Sequence, residues 1–135
     1  MGTDDEIERI NYQAEDEEDG SGESSTYNLD DSLEIDMTGV QSKKGGSYTF
    51  MLNLKAPTKY RFTFTASSRA SELAQMPVTL YFMGTVHDTF TWHGTNGEPM
   101  SFMGEYMLTF MPTRVRLAFA QNGIDFHKIV IEKIK

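Results

Sequence analysis

Beyond residue 32 the chain repeatedly alternates apolar and polar side chains with a period of two. The alternation is strongest in residues 47–55, where Tyr48, Phe50, Leu52 and Leu54 interleave with Thr49, Met51 and Asn53. It recurs in residues 59–67, where Tyr60, Phe62 and Phe64 interleave with Arg61, Thr63 and Thr65. Successive side chains of a strand point to opposite faces, so each segment predicts a strand with one apolar and one largely polar face. Ala56-Pro57-Thr58 reads as a turn between them, and the two segments are expected to form an antiparallel pair around which the chain is organised. Their aromatic face needs a covering layer. No later segment offers a long helical stripe, so that layer has to be a second sheet. The expected fold is all-β: an antiparallel β-sandwich or jelly roll.

The remaining segments fit this scheme. Residues 7–13 predict a first strand with Ile10 and Tyr12 on one face. An acidic flexible stretch is expected at about 14–31, after which Leu33, Ile35 and Met37 alternate with Glu34 and Asp36. Residues 67–75, with Ala70, Leu73 and Ala74, predict one helical turn too short to nucleate by itself. A strand opens at Pro77 with Val78, Leu80 and Phe82 facing in, breaks at Gly84-Thr85 and resumes through Trp92. Residues 94–99 carry every signal of a loop. Tyr106, Leu108 and Phe110 then form an inward row up to Pro112. Val115, Leu117 and Phe119 form the next, Gln121-Asn122-Gly123 a turn, and Ile129 and Ile131 the last. Eight or nine short strands in a single domain is the pattern of a sandwich or jelly roll.

Charge divides the chain. Residues 1–40 hold fourteen acids against Arg9 alone, whereas residues 41–135 hold eleven bases and six acids. The bases of the body are scattered rather than gathered into a patch, so no nucleic-acid partner is expected. Cysteine is absent, which excludes disulfides and thiolate metal sites. No apolar run approaches the roughly 18 residues of a membrane helix, and no membrane partner or signal peptide is read here. Met1-Gly2-Thr3 resembles a cloning start, which leaves localisation open between secreted, with a leader removed, and cytoplasmic.

Catalysis is not expected. There is no Gly-x-Ser-x-Gly elbow and no His-Glu-x-x-His pair, and after residue 40 only Asp88, Glu98 and Asp125 among the acids fall near turns. His87 and His93, placed on one extended strand rising about 3.3 Å per residue, would stand roughly 20 Å apart and share no ion. Trp92 admits two readings. It precedes a polar loop holding Asn96 and Glu98, where a sugar ring could lie on the indole, yet it shares the parity of the core-facing Phe90. Met51, Met83, Met103, Met107 and Met111 mostly share an outward parity, forming either an exposed adaptable surface or one covered by a further layer.

Three stretches carry a resemblance to a known family: Tyr12-Gln13-Ala14-Glu15-Asp16, residues 46–62 with their proline turn, and the closing residues 115–131. With these the chain resembles the family 6 and family 35 carbohydrate-binding modules, β-jelly rolls appended to glycoside hydrolases. The resemblance implies a structural calcium held partly by Gln13 and Glu15. The family also supplies an aspartate near the start of the last strand; His127 stands at that position here, two residues after Asp125. It further implies a sugar site on the rim, where the family's asparagine aligns with Asp125 and has Asn122 nearby. The functional expectation is a non-catalytic carbohydrate-binding module, an accessory domain of a glycoside hydrolase. Its partner would be a polysaccharide or oligosaccharide, met by Trp92, Asn96, Glu98, Asn122 and Asp125. The alternative is a structural sandwich that docks through its Met/aromatic face to a catalytic domain or a second subunit.

Overall fold

A computed structural model describes residues 25–134, all of them in strands and their connections. The strands are β1 (Ser25–Leu29), β2 (Ser32–Asp36), β3 (Ser47–Leu54), β4 (Thr58–Ser67), β5 (Val78–Phe82), β6 (Thr85–Phe90), β7 (Met100–Leu108), β8 (Thr113–Phe119) and β9 (Asp125–Lys133). They form a five-stranded sheet in the order β1-β3-β8-β5-β6 and a four-stranded sheet in the order β2-β9-β4-β7. All pairs are antiparallel except β1 with β3. The sandwich expected from the alternation is present, and the strand predicted over residues 7–13 lies outside the described residues.

The organising segments are not paired with each other. β3 bonds to β1 and β8, β4 bonds to β7 and β9, and the short connection between them is an arch that carries the chain from one sheet to the other. The reason lies in their faces. Phe50 and Leu52 of β3 and Phe62 and Phe64 of β4 are all sealed from solvent. Side by side in one sheet, the two rows would both need covering; in opposite sheets, each helps to cover the other. Alternation along a strand states which face is apolar and leaves the neighbour undetermined.

Other expectations resolve in the same way. Val78, Leu80 and Phe82, then Val115, Leu117 and Phe119, then Ile129 and Ile131, face inward as predicted. The break at Gly84 is a hairpin turn in which Met83 and Gly84 both adopt positive φ, 53° and 81°, as two-residue hairpins between right-twisted strands require. The helical turn expected in residues 67–75 is a single bend closed by the Ala74 amide on the Ser71 carbonyl, with Leu73 fully exposed. Phe110 is also exposed, because the inward row of β7 stops at Leu108 where the strand ends. The final part of the stretch expected to be flexible at 14–31 is β1. Leu29 is sealed in the core and Tyr27 meets Phe50 edge-on at 6.1 Å, a two-residue apolar period masked by acidic neighbours.

One contact closes the sandwich along its side. The Tyr106 ring lies over Gly104, where a Cβ would collide with it, and its hydroxyl donates to Asp88 Oδ2 at 2.6 Å, joining β7 to β6 across the two sheets. Burial, and then this bond to a carboxylate, hold the Tyr106 phenol well above its ordinary value of 10.0. Gly104→Ala forces the ring out and breaks the bond. The expected cost is about 1–3 kcal/mol, read as a lower Tm together with a phenol titration that returns toward the ordinary range. An unchanged Tm would contradict this packing.

Candidate functional site

The loops at the end where β4 and β8 finish and β5 and β9 begin enclose an open cleft of about 600 Å³. One wall is Gln41, Asn122, Gly123 and Asp125; the other is Ser68, Arg69 and Ala70, with the buried Met76 between them.

Each wall is built on a buried hydroxyl. Ser42, 3% exposed, donates from Oγ to the Gln121 carbonyl and accepts from the Ile124 amide, both at 2.9 Å, while its own amide donates to the Ile124 carbonyl at 2.9 Å. This fixes the 121–124 turn, whose Gly123 has φ 101°, against the segment entering β3. Gln41 Nε2 then donates to Asp125 Oδ1 at 2.7 Å, and the Lys44 amide to Asn122 Oδ1 at 2.7 Å. Across the cleft, Thr95 Oγ1 accepts from the Ser68 amide at 2.8 Å and donates to the Ser68 carbonyl at 2.9 Å. The Gly97 amide bonds the same carbonyl at 2.7 Å, and the Asn96 amide bonds that of Ala70 at 3.0 Å. Buried polar groups persist when paired in this way, so the two walls are held in place rather than loosely draped.

Of the residues proposed from the sequence, Asn122 and Asp125 lie on the cleft. Asn96 and Glu98 are exposed in the loop behind the second wall, at the same end of the sandwich but outside the lining. Trp92 requires a correction. It is 1% exposed, packs on Phe102 with ring centroids 4.5 Å apart and meets Phe126 at 6.2 Å. A ring with no face open to solvent cannot carry a sugar. Its parity with Phe90 decided its place, and its Nε1 has no hydrogen-bond partner among the described residues. Arg69 and Gln41 went unrecognised in the sequence. Arg69 lies in the stretch that reads as a helical turn, and Gln41 reaches the cleft only because Ser42 ties it to a turn some eighty residues later.

Gln13 and Glu15, the calcium ligands implied by resemblance, lie outside the described residues. On the last strand, His127 Nε2 is hydrogen-bonded to Ser67 Oγ at 3.0 Å, and Asp125 is engaged by Gln41. Calcium takes about six to eight oxygen ligands. Among the described residues, no group of three or more His, Asp or Glu side chains is placed to hold a metal ion.

No family model matches the sequence. The whole chain is 45% identical, over 136 residues, to part of a β-glucosidase of Ruminococcus albus, and spans 14% of that relative's length. The fold recurs within a β-glucosidase from Paenibacillus barengoltzii at 18% identity and TM-score 0.64, covering 82% of this chain and 11% of that one. It is also the fold of family 6, 35 and 36 carbohydrate-binding modules. One of these, the family 6 module of Cellvibrio mixtus lichenase 5A solved with cellotriose, is 14% identical with TM-score 0.60, covering 76% of this chain and 98% of that one.

Proposed function

We propose that this chain is a non-catalytic glycan-binding module, an accessory domain of a β-glucosidase polypeptide, and that it takes a β-linked gluco-oligosaccharide in the rim cleft. The observation that carries the reading is the convergence of Gln41, Arg69, Asn122 and Asp125 on one open cleft, in a fold shared with carbohydrate-binding modules. Sugar hydroxyls both donate and accept. The Asp125 carboxylate accepts from them, the Arg69 guanidinium and the Asn122 amide donate, and Met76 and Ala70 offer an apolar floor to the C–H face. With Trp92 in the core, recognition rests on these polar groups rather than on a stacked indole. The R. albus relative is a β-glucosidase and the lichenase module was solved with cellotriose, which supports a β-glucan ligand; any hydrolysis belongs to the rest of such a polypeptide.

Native affinity electrophoresis in gels containing lichenan, laminarin or soluble cellulose tests the reading. The wild-type chain is expected to be retarded by at least one of them. Asp125→Ala and Arg69→Ala should each weaken binding by roughly tenfold or more, the worth of a hydrogen bond to a charged group. Unretarded migration of the wild type in every β-glucan removes the reading.

A further inference from the structure

The end of the sandwich opposite the cleft finishes in apolar surface. Among the described residues, Met107, Phe110 and Met111 are three of the six large apolar side chains that stand exposed, and all lie at the end of β7 or on its connection to β8. Isolated exposed apolar residues need no explanation, but a cluster does. Beside it a groove of about 180 Å³ opens between the β5–β6 turn and the β7–β8 connection, with Phe82 and Leu108 buried at its base and Met83, His87, Met107 and Phe110 around it.

We propose that this end seats against the glycosidase body of a longer β-glucosidase polypeptide, holding the module with its cleft turned outward. The proposal rests on the reading of the chain as an accessory domain and adds its mode of attachment. Two observations select this occupant. The matched stretch is only 14% of the R. albus enzyme and 11% of the P. barengoltzii enzyme, so a much larger body accompanies this fold in both. β9 ends on the same side, where the Ile134 amide bonds the Lys59 carbonyl, so a polypeptide continuing past β9 leaves beside the patch. Charge beside the patch is of both signs: Lys59 stands opposite Met107 in the sheet, and Glu105, paired with Arg61 at 3.0 Å, shares the exposed face of β7 with Met107. The complementary surface is therefore an apolar spot with a mixed polar rim.

Methionine oxidation reads the contact directly, because susceptibility follows exposure. This chain is grafted in place of the matching 136 residues of the R. albus enzyme, and dilute peroxide is followed by peptide mass spectrometry, with the buried Met37 and Met76 as internal references. Met107 and Met111 are expected to oxidise about tenfold more slowly in the graft than in the free chain. Met107→Glu with Phe110→Glu should abolish the protection of Met111 while leaving β-glucan retardation of the free chain unchanged. If the graft does not fold, the free chain is titrated onto the R. albus enzyme lacking its own segment and read the same way. Equal oxidation rates in the free and joined forms overturn the proposal. So does a free chain that sediments as a dimer with these methionines already protected, which would make a second copy the occupant. Neither result bears on retardation by glucans, so the two readings can fail separately.

Discussion

Trp92→Ala is expected to destabilise the protein by about 3–5 kcal/mol, the range for emptying a large aromatic site in a packed core. The indole fills the space between Phe102 and Phe126 and is 1% exposed, so its removal leaves a cavity that the two sheets cannot collapse into without moving. Urea unfolding monitored by circular dichroism measures the loss. Any fall in glycan retention by this variant then reports partial unfolding rather than a missing platform. Trp92→Phe separates the two effects. Nε1 has no partner among the described residues to forfeit, so the phenylalanine variant should lose only part of that stability and keep β-glucan retardation once folded. A Trp92→Ala protein with wild-type stability but no glycan binding would place the ring in the site and contradict the packing.

Gly94→Ala should have the next largest effect, and it should act on the cleft. A Cβ at Gly94 would run into the backbone carbonyls of Ala70 and Ser71, which flexible side chains cannot relieve. The 93–97 loop, bonded through Thr95 to Ser68, is thus forced away from the 68–71 segment that carries Arg69. A cost of about 1–3 kcal/mol is expected from such overpacking, together with weakened retardation in β-glucan gels while the far-ultraviolet spectrum keeps its β signature. Gly97→Ala is the control. It lies in the same loop with φ 86° but with open space around its Cβ, so it bears conformational strain of about 1–2 kcal/mol without displacing Arg69. Equal binding by the Gly94→Ala and wild-type proteins would detach this loop from the cleft.

The contrast between Trp92 and Arg69 shows what was legible in the sequence. Period-two alternation identified the inward rows of β3, β4, β5, β8 and β9, because side-chain direction is set within each strand. It also placed Trp92 with Phe90, and this outweighed the polar loop that follows. Pairing was not legible. Ala56-Pro57-Thr58 serves a hairpin or an arch equally well, and only the need to bury Phe50 and Phe62 against an opposite layer decides between them. β1 was hidden because Tyr27 and Leu29 sit among acids and serines. In the cleft, Asn122 and Asp125 came from the resemblance to the carbohydrate-binding modules, whose rim asparagine aligns with Asp125, and both line the cleft. Arg69 and Gln41 come from distant segments fastened by Ser42 and Thr95, and small hydroxyl residues give no sequence sign of which ones become buried staples.

The claim on which the account turns is that recognition happens in the cleft between the 41–44 and 122–125 segments and the 68–70 loop. Titrating the ¹⁵N-labelled chain with cellotriose and following amide shifts tests it directly. Shifts should concentrate on Gln41, Arg69, Asn122, Gly123 and Asp125, with the Trp92 indole N–H nearly still. Shifts centred on the outer face of either sheet, or largest at the Trp92 indole, would contradict it.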